Sequence, residues 1–231
     1  MQTVLVTGAN RGIGLEHVRR FAERGAKVFA AVRTPGDADA LKALAEAHPG
    51  MITIVPYDAG DPDAPRAVAA AVGDAPLDLL LNNAGVYGGE AQTLANLDGD
   101  AFIATLATNT LAPLRLAQAL LPAISRSGRK IIANQSSRMG SIADNGSGGF
   151  YAYRASKAAL NMVTKCLAED LKGAGVIAVA LHPGWVQTRM GGPNAPVTPE
   201  DCVAGQQRVL EGLSLADSGR FFDYTGANLP W

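Results

Sequence analysis

Short apolar runs alternate with helix-length stretches along the whole chain, and this alternation constrains the fold more than any other feature. Strands joined by connections this long pair parallel through helical crossovers rather than closing into hairpins. Val4 to Thr7 reads as the first strand, followed by a helix from about Gly12 to Arg24 with apolar Ile13, Val18 and Phe21, closed by Gly25. Lys27 to Val32 is a second strand, Asp37 to Ala47 an alanine-rich helix, and Met51 to Val55 a third strand. Asp61-Pro62 is expected to open the next helix with an acidic cap and a proline in its first turn, running to about Val72. Leu77 to Leu81 is a fourth strand, and a long helix over about 99 to 125 is expected to bend at Pro113. Lys130 to Asn134, Val176 to Leu181 and a short run within Gly219 to Tyr224 complete the strands, with a helix over Tyr151 to Lys172.

At 231 residues, 48% hydrophobic and 18% charged, the chain is long enough for one sizeable domain and short for two. A formal net charge of −1 with no basic stripe argues against nucleic acid or an anionic membrane as the main partner. No apolar stretch reaches membrane-spanning length and Met1 opens directly into a strand, so the expected location is cytoplasmic. Cys166 and Cys202 are too isolated for a metal site or disulfide framework, and each is expected to be a reduced thiol filling space. The fold class is α/β: a single-domain Rossmann fold over 1–231, a doubly wound parallel sheet of six to seven strands with helices on both faces. The cofactor half is expected at about 1–110 and the catalytic and substrate half at about 111–231.

In an open parallel sheet, ligands sit beyond the carboxyl ends of the strands. Six strand ends here carry polar or glycine motifs: Thr7 to Gly14, Arg33, Asp58, Asn82 to Gly85, Ser136-Ser137 and Pro183-Gly184. The first, Thr7-Gly8-Ala9-Asn10-Arg11-Gly12-Ile13-Gly14, lies between a strand and a helix, as a dinucleotide fingerprint must. Gly8 would end the strand in a tight turn, Gly12 would let a pyrophosphate approach the backbone, and Gly14 would let the helix pack on the sheet. An anion would then rest on the helix N-terminus. The spacing departs from GxGxxG, and in isolation it also fits a plain strand-turn-helix loop.

Tyr153 and Lys157 stand four apart on one helix, so phenol and ammonium project from one face. A lysine cation in a partly dry cleft favours the phenolate, and the pair is expected to lower the tyrosine's pKa from about 10 towards about 7. Alone, the same spacing also describes a packed tyrosine beside a surface lysine.

With TGANRGIG, NNAG at 82–85, Ser137, YRASK and the Pro183-Gly184 turn in this order, the chain resembles the short-chain dehydrogenase/reductase family over nearly its full length. HPGWVQTRMGG at 182–192 and the ending GRFFDYTGANLPW look like the subgroup of C-factor proteins and sniffer-like carbonyl reductases. The resemblance implies a tetrad. Tyr153 would be the general acid in carbonyl reduction, Lys157 would tune it and hold the ribose hydroxyls, Ser137 would donate to the substrate oxygen, and Asn109 would hold a water linking Lys157 to solvent. Ser137 fits the family's Ser-x-x-Gly better than Ser136, and Asn145 to Gly149 adds a few residues between Ser137 and Tyr153.

It implies further a nicotinamide dinucleotide held by Gly8, Asn10, Arg11, Gly12, Ile13, Gly14, Arg33, Asp58, Asn82, Ala84, Gly85, Tyr153, Lys157, Pro183, Gly184, Val186 and Thr188. Asp58 would contact the adenine, Asn82 and Gly85 would line the riboses, and Val186 and Thr188 would reach the nicotinamide amide. Members preferring NAD carry an acid at the end of strand two, whereas this chain has Arg33, with Arg11 nearby; two guanidiniums suit a 2′-phosphate, so NADP(H) is expected over NAD(H). Tyr87, Met139, Phe150, Trp185 and Met190 are expected to face a substrate, making an apolar cleft suited to an uncharged ketone, aldehyde or quinone. Arg189, where relatives often carry an acid, is expected to be merely exposed. The leading expectation is an NADPH-dependent carbonyl reductase; the rival is a dinucleotide-binding, C-factor-like signalling protein. A homodimer through the helices at about 99–125 and 151–172 is what the family implies.

Overall fold

The computed structural model describes all 231 residues. Seven strands form one wholly parallel sheet: β1 (Thr3–Thr7), β2 (Lys27–Val32), β3 (Ile52–Pro56), β4 (Leu79–Asn82), β5 (Ile131–Gln135), β6 (Ile177–His182) and β7 (Phe221–Asp223), in the order β3-β2-β1-β4-β5-β6-β7. The order reverses between β1 and β4, which opens a crevice at their carboxyl ends.

Helices α1 (Gly12–Glu23), α2 (Asp39–Ala47), α3 (Ala64–Val72), α4 (Gly99–Leu106), α5 (Ala112–Ser125), α6 (Tyr151–Asp170) and α7 (Pro199–Gly212) cover the sheet. Alternate strand residues feed two cores. Val4, Val6, Leu79, Leu81, Ile131 and Val179 pack with Val18 and Phe21 of α1 and Leu210 of α7, while Leu5, Leu80 and Ile132 pack with Val68 of α3 and Leu116 and Leu120 of α5. Burial on both faces explains why these strands read as continuous apolar runs.

Three details differ from the sequence reading. The α3 helix starts after Asp63, with Pro65 in its first turn, so the Asp61-Pro62 opening is displaced; Asp61 instead accepts a bond from the Asp63 N–H at 2.8 Å. The long helix is interrupted upstream of Pro113 by a widened turn over Ala107–Leu111 that contains Asn109, leaving Pro113 in the first turn of α5. Proline has no N–H for the carbonyl four residues back, which here belongs to Asn109, so a regular α-turn could not be completed at that point. The reading also missed α7, and with it the setting of Cys202, which is buried within that helix, whereas Cys166 is exposed and fills no space.

Candidate active site

The glycine loop adopts the geometry its residue types allow. Gly8 and Gly12 have φ of +65° and +53°, a region costly for residues with a Cβ. A Cβ on Gly14 would lie 2.3 Å from the Gly8 carbonyl oxygen and 2.6 Å from Nδ2 of Asn83, and one on Gly8 would lie 3.0 Å from Ala84 Cα. The loop is stapled to the end of β4. Asn83 Nδ2 donates to the Thr7 carbonyl at 2.9 Å, and the Asn83 and Ala84 N–H groups donate to Thr7 Oγ1 at 3.0 and 2.9 Å. Asn10 and Ile13 are half-buried in this loop, and α1 begins with no side-chain cap and no acid in its first turn. An uncapped N-terminus leaves N–H donors free for an anion.

Arg11, Arg33 and Arg189 are exposed beside that loop, and none forms an ion pair. Partial burial, then the neighbouring charges of Arg189 and Arg33, hold the Arg11 guanidinium below its ordinary pKa. Arg189 is therefore exposed, as expected, yet it belongs to this cationic group. Thr188 explains the approach: its methyl group lies 3.2 Å from where a Gly12 Cβ would stand, so the segment after β6 covers the glycine loop. Thr188 Oγ1 also accepts from the Gly191 N–H at 3.1 Å, and buried Val186 pairs with Val197. Gly184, at φ +81°, leaves room for Tyr224, whose ring carbon would be 2.9 Å from a Cβ there. Pro183 before it is half-buried, and Asp58 is exposed at the end of β3 with Oδ1 accepting from the Gly60 N–H.

The side chain of Asn82 departs from expectation. It is 3% exposed, and its Nδ2 donates to Asn134 Oδ1 at 2.8 Å while Asn134 donates to Thr164, a buried ladder that binds β4 and β5 to α6. Strand alternation puts the Asn83 side chain on the opposite face, where it bonds the glycine loop.

The four tetrad candidates come together and are all buried. Ser137 at the end of β5 accepts from the Met139 N–H at 3.2 Å and stands near enough to the Tyr153 phenol to favour its ionised form. Ser136 faces the other way and donates to Asn161 Oδ1 at 2.5 Å, so the choice between the two serines follows strand alternation. Lys157 Nζ lies 5.8 Å from the Tyr153 ring centroid and donates to the Gln135 carbonyl at 2.8 Å. Asn109, in the widened turn, accepts from the Val86 N–H and donates to the Val86 carbonyl, both at 2.8 Å, and donates to Ser156 Oγ at 3.0 Å. A Cβ on Gly85 would stand 3.2 Å from Asn109 Oδ1 and 3.5 Å from Lys157 Nζ, so that glycine separates the two.

The expected depression of the tyrosine's pKa is corrected. Burial, and to a smaller degree the neighbouring Tyr87, push Tyr153 up to about 12, against the opposing influence of Ser137. Burial also pushes Lys157 down to about 8. The ammonium sits against the ring and is turned to Gln135 rather than to the phenol oxygen, so desolvation dominates both groups.

On the substrate side, the Tyr87 ring stands 5.0 Å from that of Tyr153 and 5.7 Å from that of Phe150, and Met139 is half-buried after Ser137. Phe150 is half-exposed at φ +51°. Trp185 and Met190 are exposed on the segment after β6, where Trp185 Nε1 donates to the Gly191 carbonyl at 2.7 Å. The Asn145–Gly149 insertion is pinned by Arg154, which donates to the Gly148 carbonyl and Ser147 Oγ.

Sequence reasoning gave no role to four residues. Thr7 and Asn83 are visible as motif members whose partners lie 76 positions apart. His182 at the end of β6 accepts through Nδ1 from the Arg138 N–H, and burial lowers its pKa to about 4, so it stays neutral and able to accept. Gln92 is 2% exposed between the loop after β4 and the start of α6, and nothing in its sequence surroundings announces it.

Comparison with known proteins agrees with this geometry. The family model described as short chain dehydrogenase matches residues 2–197. The chain is 48% identical over 166 residues to C-signal of Myxococcus xanthus, covering 72% of this chain and 99% of that protein. An NADPH-bound carbonyl reductase from chicken fatty liver superposes with a TM-score of 0.93 at 40% identity, covering 100% of this chain and 99% of that one. The carbonyl reductase Sniffer of D. melanogaster superposes equally well at 35% identity, with both chains fully covered. The chain belongs to the short-chain dehydrogenase/reductase family, among relatives of the C-signal and Sniffer type.

Proposed function

We propose that this protein is an NADPH-dependent carbonyl reductase that converts an uncharged, apolar ketone, aldehyde or quinone to the alcohol. The observation that carries the reading is a buried phenol beside buried Ser137 and flanked by Lys157, next to a glycine loop with an uncapped helix N-terminus and unpaired arginines. The chicken and Sniffer proteins, both carbonyl reductases, support it.

The cradle fits a dinucleotide. Gly8, Asn10, Gly12, Ile13, Gly14, Ala84 and Gly85 would hold its pyrophosphate and ribose region, Asp58 the adenine side, and Pro183, Gly184, Val186 and Thr188 the nicotinamide end. Arg11 and Arg33 favour a 2′-phosphate by charge and forked donors. The bound nicotinamide supplies the hydride.

With its pKa near 12, Tyr153 is protonated at neutral pH, the state an acid needs to hand a proton to a carbonyl oxygen. Ser137 donates to the same oxygen as charge develops on it. Lys157, largely protonated at pH 7 with a pKa near 8, stabilises the phenolate left behind and holds the ribose hydroxyls. Asn109 braces Val86 with its side chain, and its main-chain carbonyl, denied an α-helical partner by Pro113, is the group suited to hold a water that resupplies Lys157. Tyr87, Met139 and Phe150 wall the cleft, with Trp185 and Met190 on the segment that covers it.

The 48% identity to C-signal favours a second reading, dinucleotide binding for signalling with incidental turnover. Binding alone gives no reason to bury a lysine at a pKa cost, so the reductase reading is preferred. We also propose that the protein forms a homodimer.

The test is NADPH oxidation, followed by its near-ultraviolet absorbance, against aromatic ketones, aldehydes, diketones and quinones. Tyr153→Phe is expected to lower kcat by about 10³-fold, the middle of the usual range for removing one general acid, while NADPH binding stays within a few fold. Tight NADPH binding with no turnover on any carbonyl would move the conclusion to the signalling reading.

A further inference from the structure

The α6 helix carries Tyr153 in its first turn but has no local cap. Its capping position is Phe150, a residue in the left-handed region whose side chain has no oxygen to offer. The first N–H groups of a helix need acceptors, above all when buried. Here they are found on one residue 61 positions upstream: Gln92 Oε1 accepts from the Tyr153 N–H at 2.9 Å, and the Gln92 carbonyl accepts from the Tyr151 N–H at 3.2 Å.

The other end of the same amide faces the substrate wall. Gln92 Nε2 donates to the Tyr87 carbonyl at 2.8 Å and to the Gly89 carbonyl at 2.7 Å. Between these residues Gly88, at φ +89°, is pressed so close to α4 and α6 that a Cβ would stand 2.7 Å from Thr105 Oγ1 and 3.4 Å from Ala152 Cβ. Asn109 clamps the other end of this loop at Val86. Both protons and the oxygen of the Gln92 side chain are thus engaged, with two bonds holding the loop that presents Tyr87 and one holding the backbone of Tyr153. The two rings held this way are the pair 5.0 Å apart.

We infer that Gln92 is a positioning residue that caps α6 in trans and sets the distance between the catalytic phenol and the aromatic wall of the substrate cleft. The inference rests on the reductase reading. Gln92 touches neither substrate nor reacting atoms; it acts through the Tyr153 backbone and the Tyr87 loop.

Its two halves separate by substitution. Gln92→Glu keeps an acceptor for the Tyr153 N–H but removes both donors to the loop, whereas Gln92→Leu removes all three bonds. With active sites counted by NADPH titration, Gln92→Glu is expected to raise KM for an aromatic ketone about tenfold with kcat within about threefold. Gln92→Leu is expected to lower kcat about tenfold as well, with NADPH affinity within twofold in both. Amide hydrogen exchange at Tyr153 should quicken in Gln92→Leu and not in Gln92→Glu. A structural role alone would lower the melting temperature and the count of active sites while kcat and KM per site stayed at wild-type values, and that result overturns the proposal. If Gln92→Leu does not fold, an unchanged KM in Gln92→Glu overturns it equally. An inactive wild-type protein would sink the reductase reading first, and a wild-type protein that turns over beside an unaffected Gln92 pair would sink only this inference.

Discussion

Lys157 illustrates how function sets a side chain against stability. It is 4% exposed with one hydrogen bond, to the Gln135 carbonyl, and burial lowers its pKa from 10.5 to about 8. Because the unfolded chain keeps its proton up to about 10.5, folding at neutral pH forces a charge into a dry site. The penalty is fully present below pH 8 and disappears as the pH rises through 10.5; two to three units correspond to about 3 kcal/mol. Lys157→Met is therefore expected to be at least as stable as wild type to urea at pH 7, even after the lost hydrogen bond. Between pH 8 and 10.5 the wild type should gain stability relative to the variant. Urea midpoints for both proteins across that range are the check, and a variant less stable than wild type by the same margin at every pH would show that the lysine is not destabilising. The spacing of Tyr153 and Lys157 was legible in the sequence, but their ionisation was not. Burial and the direction of the ammonium, which decide it, arise only when β5 and α6 meet.

At the scale of elements, the strand ends were the most readable part, because each needs an apolar run and a polar or glycine break. The departures have local causes. The run Thr198-Pro199-Glu200-Asp201 opens α7 with a capping threonine, a proline in the first turn and two acids, a start signal that was present and overlooked. The widened turn at Asn109 was hidden because Pro113 announces a disturbance without saying on which side of itself the helix yields. The same strand ends carry the cofactor argument. Arg33 follows β2 directly, and Arg189 follows Thr188 on the segment lying over Gly12, so the two approach the glycine loop from different elements. Arg33→Asp should weaken NADPH by about a hundredfold or more while leaving NADH within a few fold, since a carboxylate repels a 2′-phosphate and accepts from a 2′-hydroxyl. Fluorescence titration with both dinucleotides decides it, and equal losses would remove the phosphate role from Arg33.

At the scale of the whole molecule, the sheet is covered on both faces, and apolar surface remains on the helices that flank the tetrad. Leu114, Ala117 and Leu121 of α5 line a groove with Leu167 and Leu171 at the end of α6, and Ile103 of α4, Leu111 and Met162 of α6 are exposed. No helix is long and apolar enough to cross a membrane. A two-fold partner laid along α5 and α6 would cover these apolar residues, and a stable interface of about 1,600 Å² is within reach of two helices of 14 and 20 residues on each side. The contact would also brace the back of α6, whose first turn carries Tyr153. Sedimentation velocity at micromolar concentration is expected to show a dimer. Leu114→Glu with Leu121→Glu should give a monomer, because each carboxylate would have to be buried without a cation opposite it. The helices are already complete within one chain, so the monomer should retain NADPH binding and lose less than about tenfold in kcat, a modest loss for bracing at a distance. A wild-type protein that sediments as a monomer at every concentration would leave this apolar face as ordinary exposed surface and remove the partner from the account of α6.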